Sequence, residues 1–194
     1  MIQVSSTLSV LASSFGLVAA SEMGDKTQLL AFALATRFKK PWAIMGGILT
    51  ATILNHGLAS WGGAWVSAHT PEMVLRIGLA LTFIGFGIWI LFPDKDDGAP
   101  KESRWGAYAT TTIAFFLAEM GDKTQLATIA LGARFGSFWT VTLGTTLGML
   151  FSDGLAVLLG KNFADKIPMD WVRRFASLLF ILFGILIFAK GTGF

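Results

Sequence analysis

Cysteine is absent from the 194 residues, which excludes a disulfide framework and a thiolate metal site and leaves the redox compartment unread. Charge is also scarce. Asp, Glu, Lys and Arg together make 14% of the chain, against about 25% in soluble domains. Histidine occurs only twice, as His56 and His69, so the chain offers a metal ion oxygen ligands almost alone. The formal charge of +3 arises from loops between apolar stretches, and no basic patch with interleaved aromatics accompanies it, so no nucleic-acid partner is implied. Lys and Arg are missing before Lys26. The apolar run ending in Ala19-Ala20-Ser21 therefore lacks the positive start of a secretory signal and is expected to be retained.

What is abundant is apolar: 54% of residues are hydrophobic and the mean hydropathy is +0.65. These values point to an all-α integral membrane protein. A hydrocarbon core about 30 Å thick needs roughly 20 apolar residues of helix, and six stretches qualify, near 7–36, 42–68, 73–92, 105–133, 138–160 and 171–190. The first and fourth are longer than a straight span requires, so each must tilt, protrude or break. Trp42, Trp89, Trp105, Trp139 and Trp171 fall near predicted span ends, where indole rings favour the bilayer interface.

Inside those two long stretches sits an octapeptide that occurs twice, Glu22-Met23-Gly24-Asp25-Lys26-Thr27-Gln28-Leu29 and, 97 residues on, Glu119-Met120-Gly121-Asp122-Lys123-Thr124-Gln125-Leu126. The same offset relates Arg37-Phe38 to Arg134-Phe135, Gly57-Leu58-Ala59 to Gly154-Leu155-Ala156, and Gly63, Arg76 and Gly87 to Gly160, Arg173 and Gly184. This is a duplication of a three-helix unit. The first unit covers 1–92 and the second 105–194, joined by a charged, proline-bracketed loop over 93–104. Three is odd, so the second unit enters the membrane from the opposite side, giving six transmembrane helices as two inverted three-helix repeats. In secondary transporters, repeats of this kind hold substrate near the midplane where they meet.

Lys and Arg outside the motifs divide unevenly. Ten lie on one face, Arg37, Lys39, Lys40, Lys95, Lys101, Arg104, Lys161, Lys166, Arg173 and Arg174, against Arg76, Arg134 and Lys190 on the other. The first face is expected to be cytoplasmic, with both termini on the non-cytoplasmic side.

On a continuous helix, Glu22, Asp25 and Gln28 share one stripe with Lys26 beside it, and Glu119, Asp122, Gln125 and Lys123 repeat the pattern. Each ionisable group in a bilayer costs about 2.5–3.5 kcal/mol, so such groups are aimed at partners or a wet cavity. Lys26 and Lys123 balance two of the four acids and leave a formal −2, which a divalent cation or two protons would neutralise. Oxygen ligands suit hard ions such as Ca²⁺, Mg²⁺ or Mn²⁺. Carboxylates that hold a metal are deprotonated, so metal and proton compete for one site, which is the minimal chemistry of an antiporter. Thr27 and Thr124 either donate oxygen to the cation or bond back to their own helix. Gly24 and Gly121 allow close packing or local unwinding. Asn55-His56 and Ser152-Asp153 coincide under the repeat, and Asp153, a lone carboxylate in mid-span, reads as a proton relay or an extra ligand. Asn55, Gln28 and Gln125 join the additional candidates, with His56 weighed as a proton carrier. His69 lies near a loop.

The doubled Glu-x-Gly-Asp-Lys-Thr motif in a six-helix chain resembles the MneA/Gdt family of cation transporters, over essentially the whole length. The resemblance implies exchange of Mn²⁺ or Ca²⁺ for protons, Glu22, Asp25, Glu119 and Asp122 as cation ligands, and no prosthetic group. It also implies a manganese exporter of the bacterial inner membrane. Two other classes fit the composition: a metal-dependent intramembrane enzyme acting on a lipid-linked phosphate, and a passive cation channel. Against the enzyme stand the symmetry of the two motifs and the lack of a Ser-His pair or an arginine clamp, so the chain is read as no enzyme. Six short helices make a thin wall around a polar site, which a homodimer would thicken.

Overall fold

The computed structural model describes residues 6–92, 105–159 and 169–190. The loop 93–104 with Lys95, Lys101 and Arg104, and Gly160, Lys161 and Lys166, lie outside the described residues. Among the described residues every regular element is a helix: α1 (Thr7–Glu22), α2 (Lys26–Phe38), α3 (Pro41–His69), α4 (Glu72–Ile90), α5 (Gly106–Glu119), α6 (Lys123–Phe135), α7 (Phe138–Leu159) and α8 (Met169–Lys190). Four of them, α3, α4, α7 and α8, are long and apolar enough to cross a membrane. The pair α1 and α2, bent by 72°, makes a fifth if taken as one broken span.

The stretches expected over 7–36 and 105–133 are therefore broken, and the single stripe through Glu22, Asp25 and Gln28 does not exist as a helical face. The motif itself explains the break. Met23 has φ −68° and ψ 114°, Gly24 has φ 81°, and the Asp25 N–H donates to the Glu22 carbonyl at 3.1 Å. These are the marks of a type II turn, whose third residue needs positive φ and hence glycine. Met120, with φ −64° and ψ 117°, Gly121 at φ 78° and the Asp122 N–H on the Glu119 carbonyl at 3.2 Å repeat it. Each octapeptide is thus a helix end, a turn and a new helix start.

Small residues then bring the helices together, as expected where apolar side chains gain little by leaving lipid. Gly63 on α3 abuts the Ile129 carbonyl of α6, and Gly132 of α6 abuts the Ser60 carbonyl of α3, leaving no room for a Cβ at either place. Gly47 of α3 sits on the backbone of Tyr108 in α5, while Gly144 of α7 sits on the backbone of Leu11 in α1. Gly87 and Gly184 join α4 and α8 in the same way. Around the α4–α8 contact Phe83 meets Phe183 at 4.9 Å and Phe180 at 6.0 Å. A second apolar cluster, including Val18, Leu34, Ile48, Phe115 and Met149, lies among α1, α2, α3, α5 and α7.

The outward surface is apolar and aromatic, with Trp42, Trp89, Trp105, Trp139 and Trp171 all exposed near helix ends. Trp61 and Trp65, on the exposed side of α3, extend that surface. His69 closes α3, where its Nδ1 lies 2.8 Å from the Trp65 carbonyl oxygen.

A Cβ at Gly121 would meet no atom within 4 Å, so its substitution tests backbone conformation alone. Gly121→Ala is expected to cost about 1–2 kcal/mol through the left-handed φ, and Gly121→Asn less. Denaturant unfolding in detergent checks this; an alanine variant as stable as the parent would remove the turn as the reason for the glycine.

Candidate functional site

Each residue of the octapeptide has a position set by the turn. Glu22 and Glu119 are the last residues of α1 and α5 and are fully buried. Asp25 and Asp122 are the N-caps of α2 and α6, at the helix ends whose dipoles favour negative charge. Asp122 Oδ1 accepts the Lys123 backbone N–H at 2.7 Å. Two residues into each new helix, the threonine hydroxyl reaches back across the turn. Thr27 Oγ1 donates to Glu22 Oε2, and Thr124 Oγ1 to Glu119 Oε2, both at 2.6 Å. The threonines thus hold the glutamates rather than merely their own helix. The second oxygen of each glutamate, Oε1, is buried with no hydrogen-bond partner among the described residues.

The glutamines brace the turns. Gln28 Oε1 accepts the Gly24 N–H at 3.0 Å and Gln125 Oε1 accepts the Gly121 N–H at 2.8 Å, satisfying donors that a helix break leaves open. Their amides tie the breaks to neighbouring helices: Gln28 Nε2 donates to the Ser152 carbonyl of α7 at 2.9 Å, and Gln125 Nε2 donates to Asn55 Oδ1 of α3 at 3.3 Å. Asn55 Nδ2 in turn donates to the Phe116 carbonyl of α5 at 3.0 Å. Gln28, Gln125 and Asn55, expected as additional ligands or in coupling, form struts between helices through these hydrogen bonds. Ser152 is the strut partner that the sequence reading left unassigned, although its place opposite Asn55 under the 97-residue offset was the available signal.

The lysines cross. Lys26 Nζ lies 3.1 Å from Asp122 Oδ2, and Lys123 Nζ lies 3.1 Å from Asp25 Oδ1. Each lysine, at the first position of its helix, pairs with the aspartate of the other motif, a relation invisible to a helical wheel. Lys123, Asp25 and Asp122 are buried, while 20% of the Lys26 side chain is exposed. Asp153 of α7, fully buried with neither carboxylate oxygen hydrogen-bonded among the described residues, interacts electrostatically with Glu22, Asp25 and Glu119. Its counterpart His56 of α3 is also fully buried, and both of its ring nitrogens lack a hydrogen bond among the described residues.

The two motifs, 97 residues apart in the chain, are thus one constellation. Among the described residues no group of three or more His, Cys, Asp or Glu side chains is arranged to hold a metal ion. Each aspartate is paired instead with the ammonium group of the other motif.

A family described as divalent cation/proton antiporter GDT1 matches residues 10–98 and 107–193. The chain belongs to the GDT1 family. It is similar to a Vibrio cholerae protein named "Putative manganese exporter", 47% identical over 128 residues, which are 66% of this chain and 64% of that protein. A GDT1-like protein of Synechocystis is 28% identical over 142 residues, covering 60% of this chain and 66% of the relative. A chloroplastic GDT1-like protein 2 of rice is 27% identical over 178 residues, 70% of this chain and 50% of the relative. The chain thus spans at most about two thirds of the length of these curated relatives. No solved structure matches it significantly.

Thr124→Val keeps the shape of the side chain and removes the donor to Glu119 Oε2. It is expected to destabilise the protein by about 1–3 kcal/mol, the cost of a buried polar group left without its partner, while Thr124→Ser retains most of the stability. Thermal unfolding in detergent reads the difference, and a valine variant as stable as the serine one would show the 2.6 Å contact to be dispensable.

Proposed function

We propose that the chain is a divalent-cation/proton antiporter that exports Mn²⁺ from the cytoplasm across a bacterial inner membrane, with Ca²⁺ as a second substrate to be tested. The observation that carries the reading is the meeting of two Glu-x-Gly-Asp turns in the protein interior, with more carboxylates than ammonium groups. Glu22, Asp25, Glu119 and Asp122 are the ligands of the transported ion in this reading. Family membership and the name of the Vibrio cholerae relative support it. So does the charge count: two lysines against four acids leave −2, which one divalent cation or two protons neutralise. Exchange of two protons per ion then leaves the charges of the two motifs balanced at both ends of the cycle. Asp153 adds a further carboxylate beside the motif acids and is read as the proton relay or an auxiliary ligand.

The architecture in this proposal has six spans. Broken spans α1–α2 and α5–α6 join α3, α4, α7 and α8, arranged as inverted repeats over 1–92 and 105–194. Supporting it, the contact of Gly47 with Tyr108 recurs as that of Gly144 with Leu11, each member displaced by 97 residues with the halves exchanged. The helix ends at Glu22 and Glu119 resemble the half-helix C-terminal ends that coordinate cations in transporters of this design. Lys and Arg asymmetry orients both termini away from the cytoplasm, and the exposed aromatic surface leaves room for a homodimer in the bilayer. Transport, rather than catalysis on a lipid-linked phosphate, is the activity of the family. Coupling to protons separates it from a passive channel.

The test is proton movement in proteoliposomes driven by a Mn²⁺ gradient, with Ca²⁺ in parallel. Wild type should move protons with Mn²⁺ at about two per ion, as neutralisation of −2 requires, and Glu119→Gln should abolish coupled flux without preventing insertion. Normal flux in Glu119→Gln would remove the motif as the site. Metal flux without protons would make the protein a channel.

A further inference from the structure

The crossed pairs have a use beyond charge balance. Both oxygens of Asp122 are engaged, Oδ1 by the Lys123 backbone N–H at 2.7 Å and Oδ2 by Lys26 Nζ at 3.1 Å, while Asp25 Oδ1 holds Lys123 Nζ at 3.1 Å. The glutamates differ: each has one oxygen fixed by threonine and the other, Oε1, without a hydrogen bond among the described residues. A hard divalent ion binds oxygen at about 2.0–2.6 Å. An ammonium group on the same buried carboxylate would then be a like charge at close range, in surroundings that screen poorly.

We propose that Lys26 and Lys123 are tethered competitors of the transported cation. Each ammonium group holds the aspartate of the other motif until the ion displaces it, so cation loading and release of the crossed pairs are a single event. The inference rests on the antiport reading above and names the residues that govern affinity and release at that site. Charge permits it without expelling the lysines from the interior, because one divalent ion and two ammonium groups balance four carboxylates. The ammonium groups need only give up contact. The pairs also join the turn after α1 to the turn after α5, so displacing them unlatches the two broken helices from each other. Lys26 is the more accessible of the two, 20% exposed against 5% for Lys123, and the Lys26–Asp122 pair yields first.

A tethered competitor and a static clamp predict opposite signs. Removing a competitor tightens cation binding and slows release, whereas removing a clamp weakens binding. Calorimetric titration of Mn²⁺ onto detergent-purified wild type and Lys26→Met, with flux measured on the same preparations, separates them. The expected result for Lys26→Met is a Kd lowered by about tenfold or more together with flux slowed by a similar factor. Unchanged or weaker binding in a folded variant overturns the inference. If Lys26→Met does not insert, the wild type itself decides, through mass-spectrometric footprinting of Lys26 with an amine-acylating reagent. Saturating Mn²⁺ should accelerate acylation, and an unchanged or slower rate overturns the inference. Wild type that neither binds Mn²⁺ nor couples it to protons would instead defeat the antiport reading, so the two failures are distinct.

Discussion

Breaking a helix inside an apolar interior exposes backbone donors and acceptors that no water is there to satisfy, and the rest of this structure depends on how that demand is met. The octapeptide answers it with its own atoms. The turn closes on the Asp N–H, the glutamine four residues after the glycine takes the glycine N–H, and the aspartate occupies the cap. Only after the backbone is satisfied are the glutamate and lysine side chains left for other chemistry. Conserving chain length between glycine and glutamine is therefore as necessary to the site as the acids themselves. A Gln28 or Gln125 shifted by one residue would leave the turn unbraced.

Several parts of this arrangement were legible in the sequence. An exact octapeptide repeat in an apolar setting marked the site, the excess length of the first and fourth stretches marked a distortion there, and tryptophans marked helix ends. The break was hidden by treating the motif as a continuous helix. Gly24 at the third position of a turn and Asp25 as a cap are local signals, but Leu, Ala and Phe on both sides give no pause in hydropathy. The crossing of the lysines could not be read at all. It depends on where two turns meet in space, and a helical wheel assigns Lys26 to its own neighbours when its partner is Asp122, 96 residues away.

Energetically, the crossed pairs solve the problem that four buried acids create. Removing one partner of a buried ion pair costs about 3–5 kcal/mol because the other is left uncompensated, so each lysine is required wherever its aspartate is ionised. The same arithmetic sets a limit on what the pairs can do: two ammonium groups cannot neutralise four carboxylates. The rest of the balance falls to protons or to a bound cation, since no further cationic side chain is seen at the motifs among the described residues. A site with fixed counter-charges for only part of its acids has room for a further positive charge.

The duplication is exact at the octapeptide and departs from identity one helix away. Asn55 and Ser152 keep the same task, each receiving a glutamine amide, but the next residue is His56 in one half and Asp153 in the other. Asp153 brings a third acid to the side of Glu22 and Asp25, whereas His56 places a buried imidazole at the equivalent position. A carboxylate in one half and an imidazole in the other thus make the two halves chemically unequal one helix away from octapeptides that are identical.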